Sequence, residues 1–171
     1  INPRLSPNQL LRTIARRLGE DHPRHFRADL IEQLHGLLFN CYEQGILPLL
    51  IIDECQAIPS RETFEEVRLL TNFQLDRENL MAIIMIGQPE LERRLQHPAY
   101  EALRQRIGLT CRLTPLKPEA VRDYLEYRLR IAGREEPLFT EDAVAAIARH
   151  SRGIPRWINN IAAASLLEGF G

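Results

Sequence analysis

Over the first 45 residues the apolar positions recur at helical spacing. Leu10, Leu11, Ile14 and Leu18 form one stripe. Ser6-Pro7-Asn8-Gln9 ahead of it is a capping box with proline at the first helical position, so a helix is predicted from Pro7 and stopped by Gly19. A second stripe (Leu30, Ile31, Leu34, Leu37, Leu38, Cys41) predicts a helix over about 27–44, ended by Gly45. The helical period then disappears. Residues 47–52 are almost continuously apolar, and a short run of that kind between helices reads as a strand of a parallel sheet covered on both faces. The alternation continues with a helix over 61–75, a strand over 80–86, short helices within 89–106 and a strand over 109–113. Helices alternating with buried strands predict an α/β domain. Beyond it, Thr114-Pro115-Leu116-Lys117-Pro118 reads as a linker, and three helices (118–131, 141–150 and 154–168) follow with no strand between them. The expected organisation is an α/β core over 1–115 and a small all-helical unit over 116–171.

Composition narrows the classes. Of the 171 residues, 44% are hydrophobic and the formal net charge is -1, which excludes disorder and disfavours a dedicated nucleic-acid binder. No run approaches the roughly 20 apolar residues needed to span a bilayer. Cys41, Cys55 and Cys111 lie far apart without a C-x-x-C pair, which points to reduced, buried thiols of a cytosolic protein. His22 and His25 lack a third ligand at metal spacing and read as a polar loop. The arginines of the first helix read as a modest basic face towards solvent or a subunit contact, and Trp157 as part of the helical core. One bias stands out: 21 of the 22 basic residues are arginine, and Lys117 is the lone lysine.

The candidate chemistry lies at strand ends. In Leu49-Leu50-Ile51-Ile52-Asp53-Glu54 two carboxylates follow a buried strand, at the sheet edge where open α/β sheets bind ligands. One carboxylate there can hold Mg²⁺ while its neighbour polarises a water. The same pair would also serve simply to open the following loop, and the sequence alone leaves the two readings even. Gln88, in Ile86-Gly87-Gln88-Pro89, would stand beside Asp53 if the two strands are neighbours, as a phosphate or water ligand, as a helix cap, or as both. Arg104 and Arg106 precede the last predicted strand, and Arg156 follows Gly153-Ile154-Pro155 in the first turn of a helix. Arginine suits phosphate because its planar fork binds oxygens bidentately and keeps its charge. Single arginines in such places are also common solvated surface residues. Cys55 is expected to have a raised pKa beside two acidic residues.

These segments, in this order, resemble the AAA+ ATPases, and more narrowly the general secretion pathway protein A group. The likeness is carried nearly end to end by INPRLSPNQLLRTIARRLG, LLIIDECQ, FEEVRLLTNFQLD, IIMIGQPEL, LRQRIGLTCRLTPL and SRGIPRWINNI. The resemblance implies a parallel-sheet nucleoside-triphosphatase core, incomplete at its N-terminus, followed by a helical lid. It implies that Asp53 and Glu54 are the Walker B pair, with Asp53 towards Mg²⁺ and Glu54 catalytic. Gln88 matches the first sensor and Arg156 the second. Arg106 is the preferred match to an arginine finger acting on a neighbouring subunit's nucleotide, with Arg104 the second choice. ATP and Mg²⁺ are the implied cofactors, and a homo-oligomer and a membrane-associated secretion assembly the implied partners, with no direct nucleic acid. The implied location is the cytoplasmic face of the bacterial inner membrane. Two other readings stay open: an ATPase of DNA transposition or replication initiation on the same scaffold, and a non-catalytic interaction module.

One departure from the family is large. The sequence contains no G-x-x-x-x-G-K-[ST], and its only lysine sits between prolines in the linker. In the family the P-loop lies just upstream, and its strand runs between the last strand and the 80–86 strand. A chain beginning at Ile1 without an initiator methionine is expected to be a piece of something longer. It is expected to lack the centre of its own sheet and to be inactive alone.

Overall fold

The computed structural model describes residues 4–75 and 78–169. Residues 1–3 and Asp76 of the resembling segments, with Arg77 and the final residues 170–171, lie outside them. The chain divides into two compact units, Ile1–Thr110 and Cys111–Gly171.

The first unit opens with helix α1 (Pro7–Arg17), whose capping box is complete: the Ser6 hydroxyl accepts from the Gln9 N–H and the Gln9 side chain accepts from the Ser6 N–H. Helix α2 (Arg27–Glu43) follows. Strand β1 (Leu49–Ile52) and helix α3 (Arg61–Leu70), capped by Ser60, come next. The helix expected to reach residue 75 stops at Leu70. Thr71 turns its hydroxyl back onto the Arg68 carbonyl (2.6 Å), and the chain enters a small antiparallel ribbon, β2 (Gln74–Leu75) with β3 (Glu78–Asn79). Gln74 Nε2 donates to Asn79 Oδ1 across it at 2.8 Å. Strand β4 (Ala82–Met85) and the short helices α4 (Pro89–Leu95) and α5 (Glu101–Arg104) complete the unit.

Parallel pairing of β1 with β4 matches Leu49 to Ala82 and Ile52 to Met85. The mixed α/β class read from the sequence is thus present, around a sheet of two parallel strands. Alternation sorts the side chains by face. Leu50 and Ile52 are buried, and Ile83 and Met85 pack with them against a core built from α1, α2, α3 and α4 (Leu11, Leu34, Phe64, Val67, Leu91). The opposite face is equally apolar but open: Ile51 is 44% exposed and Ile84 45%, with Leu49 and Ile86 alongside. Two-sided burial was the expectation, and only one side has a cover among the described residues.

The strand expected over 109–113 does not form. Leu109 and Leu113 are 86% and 92% exposed, and the segment has no ladder partner among the described residues. The physical reason is that an extended segment leaves its N–H and C=O groups unsatisfied unless a neighbouring edge takes them. Among the described residues no strand edge is paired with it, so its apolar pattern does not become a strand.

The second unit packs α6 (Pro118–Ile131), α7 (Glu141–Ser151) and α8 (Pro155–Glu168) around Val121, Leu125, Ile147 and Ile158. Trp157, expected inside this core, is 55% exposed, because the inward position of that helical turn belongs to Ile158. Helix α7 ends in two left-handed residues, Arg152 (φ 52°) and Gly153 (φ +72°), before Ile154 returns to extended backbone. The Gly153 carbonyl accepts from the Leu116 N–H at 2.8 Å, which ties the preceding linker to the α7–α8 turn. That approach leaves no room for a side chain: a Cβ at 153 would stand 2.0 Å from the Leu116 oxygen.

Gly153→Ala should therefore cost at least the roughly 1–2 kcal/mol of a left-handed alanine, and more for displacing Leu116. Urea unfolding followed by the fluorescence of Trp157, the only tryptophan, measures it. An unchanged midpoint would remove the claim that this contact shapes the turn.

Candidate functional site

The two strand ends are tied together beyond their ladder. Ile86 N–H donates to the Ile52 carbonyl (2.8 Å), and Cys55 N–H donates to the Ile86 carbonyl (2.9 Å). Asp53 and Glu54 lie between those two bonds, so their backbone is fixed while both side chains remain exposed. The expected adjacency of the Asp53 and Gln88 segments is present in this parallel pairing.

Glu54 is left-handed, at φ 55° and ψ 38°. A non-glycine residue held there stores strain, which persists only where the surroundings over-determine it. Here Asp53 Oδ1 accepts the Glu54 N–H at 2.8 Å. The Glu54 carbonyl starts a 3-10 turn (Cys55–Ala57) by accepting from the Ala57 N–H at 2.8 Å. The conformation turns the chain sharply out of the sheet directly after the carboxylate pair.

Gln56, which the sequence reading passed over, connects the two strand ends through its side chain. Its Nε2 donates to Glu54 Oε2, and its Oε1 accepts from the Gln88 N–H at 3.0 Å. Gly87 allows this approach: a Cβ there would lie 2.9 Å from Gln56 Oε1 and 2.8 Å from Leu91 Cδ2. A glutamine in a polar loop gives no sequence signal, since only the strand pairing brings residue 88 to it. Gln88 itself stands at the start of α4 before Pro89, and its side chain makes no capping bond. It holds the N-cap position expected of it through its backbone, its carbonyl accepting from the Leu91 N–H at 2.8 Å.

Arg94 secures the floor of this region. Its Nη1 donates to the Ile58 carbonyl at 2.5 Å and its Nε to the Tyr100 hydroxyl at 3.1 Å, with its guanidinium 4.7 Å from the Phe64 ring centre. The loop after the carboxylates is thereby stapled to α4.

The structure separates the two arginines that the sequence left together. Arg104 Nη1 donates to the carbonyls of Gln96 (3.2 Å) and Leu95 (3.4 Å), closing the C-terminus of α4. Arg106 is exposed, and its side chain has no hydrogen bond or ion pair within the described residues. In the second unit Arg156 is exposed in the first turn of α8, directly after the Pro155 that starts the helix.

Among the described residues no three His, Cys, Asp or Glu side chains converge as a metal cage. The donor set at the strand end suits a cation that keeps most of its water and takes one or two carboxylates plus phosphate oxygens, which is the habit of Mg²⁺. A phosphate cradle of glycines and lysine is not part of this sequence. Cys55 behind the carboxylates is buried, and burial first, then the Asp53 charge, pushes its thiol up to about 11, partly offset by a backbone contact at Ile86. The upward direction was expected, but burial rather than the acidic neighbours is its main cause.

A family model described as an AAA domain matches residues 1–95. General secretion pathway protein A of Aeromonas hydrophila is 35% identical over 173 residues, covering 99% of this chain and 31% of that protein. The chain thus spans about a third of the length of the curated relative it matches. No solved structure matches it.

At pH 8 a thiol of pKa about 11 is thiolate in only about one molecule in a thousand. Of the three thiols expected to be buried only Cys55 is, with Cys41 half-buried and Cys111 exposed, so Cys111 should alkylate rapidly while Cys55 resists until denaturant is added. Mass spectrometry of iodoacetamide-treated protein reads the two sites separately. Equal native rates would contradict the burial of the strand-end loop.

Proposed function

The chain belongs to the AAA domain family, and from that premise we propose that it forms the Walker B, sensor and lid portion of an oligomeric, Mg²⁺-dependent ATPase. The observation that carries this reading is the Asp53–Glu54–Gln56–Gln88 arrangement at two adjoining strand ends. Asp53 would hold Mg²⁺, which would supply charge to neutralise the phosphates, and Glu54 would orient and deprotonate the attacking water. Gln88 meets the terminal phosphate without adding charge. Arg106 acts as the finger on a neighbouring subunit's nucleotide, a role compatible with its free guanidinium, whereas Arg104 is engaged at α4. Arg156 serves as the second sensor.

The phosphate grip comes from a P-loop strand and helix outside this sequence. Two features support such a unit: the open apolar face of β1 and β4, and the exposure of Leu109 and Leu113 in a segment that joins no strand ladder among the described residues. The Gly-rich turn and its lysine would hold the phosphates when that unit is present. On the same reading 1–115 is the core and 116–171 the lid, and the isolated chain does not turn over.

The relative's name supports a client in general secretion. We place the ATPase at the cytoplasmic face of the bacterial inner membrane, driving assembly of the secretion apparatus. No helix of the described residues is long and apolar enough to cross a membrane, so the anchor would belong to other segments.

The test uses the parent protein with its P-loop. Glu54→Gln should retain ATP binding and lose hydrolysis by roughly 10²–10⁴-fold, the usual worth of a general base. Arg106→Ala should be rescued in mixed oligomers by Glu54→Gln subunits, while Arg104→Ala should chiefly lower stability. Undiminished hydrolysis by Glu54→Gln would overturn the assignment, and a parent without a P-loop would overturn the ATPase reading altogether.

A further inference from the structure

The N-terminal part of the chain concentrates positive charge that the ATPase reading does not use. Residues 1–29 carry six arginines against three carboxylates, although the whole chain is net negative. Three of those arginines converge. Arg12 and Arg16 lie one turn apart on α1, and Arg24 comes from the loop between α1 and α2; together they line an open cleft of about 500 Å³. Like charges at that helical spacing repel.

Neighbouring arginines show how this protein normally satisfies such groups. Arg27 grips Glu66 with both Nε and Nη2 at 3.1 Å, and Arg68 grips Glu65. In the cleft the pattern fails. Asp21 and Asp29 also line it, yet neither pairs with the three arginines within the described residues. Arg12 Nε is the one buried side-chain nitrogen or oxygen of the described residues without a hydrogen-bond partner. An unsatisfied buried donor in a folded protein calls for an explanation, and an absent acceptor is the simplest one.

The cleft is held in shape from three directions. Pro23 is buried beneath the loop. The Arg24 N–H donates to Gln33 Oε1 (2.9 Å) and the His22 N–H to Glu20 Oε1 (3.0 Å). Asn8 Nδ2 of α1 donates to the His25 carbonyl at 3.2 Å. A pre-shaped basic cleft spares an incoming anion the cost of ordering the loop.

We propose that this cleft binds a phosphate group. The guanidinium fork matches phosphate geometry, and three guanidiniums exceed the two carboxylates present. The volume exceeds that of a bare phosphate, and Phe26, 77% exposed on the lining, offers a flat apolar surface. A phosphate carried on an aromatic group would use both. The cleft contains none of the residues assigned to ATP hydrolysis, so it stands or falls separately from that assignment.

Isothermal titration of the 171-residue chain with inorganic phosphate, and separately with phenyl phosphate, tests the site at fixed pH and low salt. Saturable binding is expected, weakened about tenfold or more by Arg24→Gln and by Arg12→Gln. Arg12→Lys should recover only part of the loss, because lysine keeps the charge without the fork. Arg17→Gln, on the same helix but outside the cleft, should change little, with circular dichroism establishing that each variant folds. Tighter binding of phenyl phosphate, lost in Phe26→Ala, identifies an aromatic ester as the ligand; equal affinities identify free phosphate. Absence of saturable binding, or an equal loss in Arg17→Gln, overturns the proposal in favour of diffuse surface charge.

Discussion

The register between β1 and β4 is the constraint on which the site depends. Strand side chains alternate with period two, so a slip of one residue would exchange Leu50 and Ile52 for Leu49 and Ile51 against the core. The helices beneath fix which pair is inward, because Phe64, Val67 and Leu91 form the apolar wall that Leu50 and Ile52 meet. Burial of two side chains thus sets where Asp53 and Glu54 leave the sheet. It also decides which backbone groups of Ile86 are available to tie them down.

The same pairing explains how two segments more than 30 residues apart can act together. Gln56 spans them with a single amide, touching the Glu54 carboxylate with one end and the Gln88 backbone with the other. A shift at residue 88 is therefore felt at residue 54 through one side chain. Gly87 and left-handed Glu54 are the backbone features that make the bridge fit: one removes a Cβ, the other turns the chain.

Most of the architecture was legible before any coordinates. The Ser6–Gln9 capping box, the helical stripes and the continuous apolar runs each carry a local physical signal, and the elements they predict are present. Asp53 and Gln88 could be brought together because strand ends in parallel sheets share an edge. What escaped was whatever depends on a partner distant in sequence. Gln56 has no local signature, and Arg104 and Arg106 look alike until one is seen on the carbonyls of α4. The 109–113 run has the composition of a strand, but composition cannot supply the edge it must join. Trp157 was misplaced for a related reason, since the inward position of its helical turn is taken by Ile158.

On the proposed reading, the open sheet face and the idle 109–113 segment have a single cause, the absence of a P-loop strand and helix from this sequence. Amide hydrogen exchange, compared between this chain and a longer parent chain carrying G-x-x-x-x-G-K-[ST], tests that claim most directly. The account predicts that Leu109, Thr110, Cys111 and Leu113 exchange freely in the present chain and become strongly protected in the longer one, together with the outer edge of β4. Residues 109–113 remaining unprotected in the longer chain would contradict it.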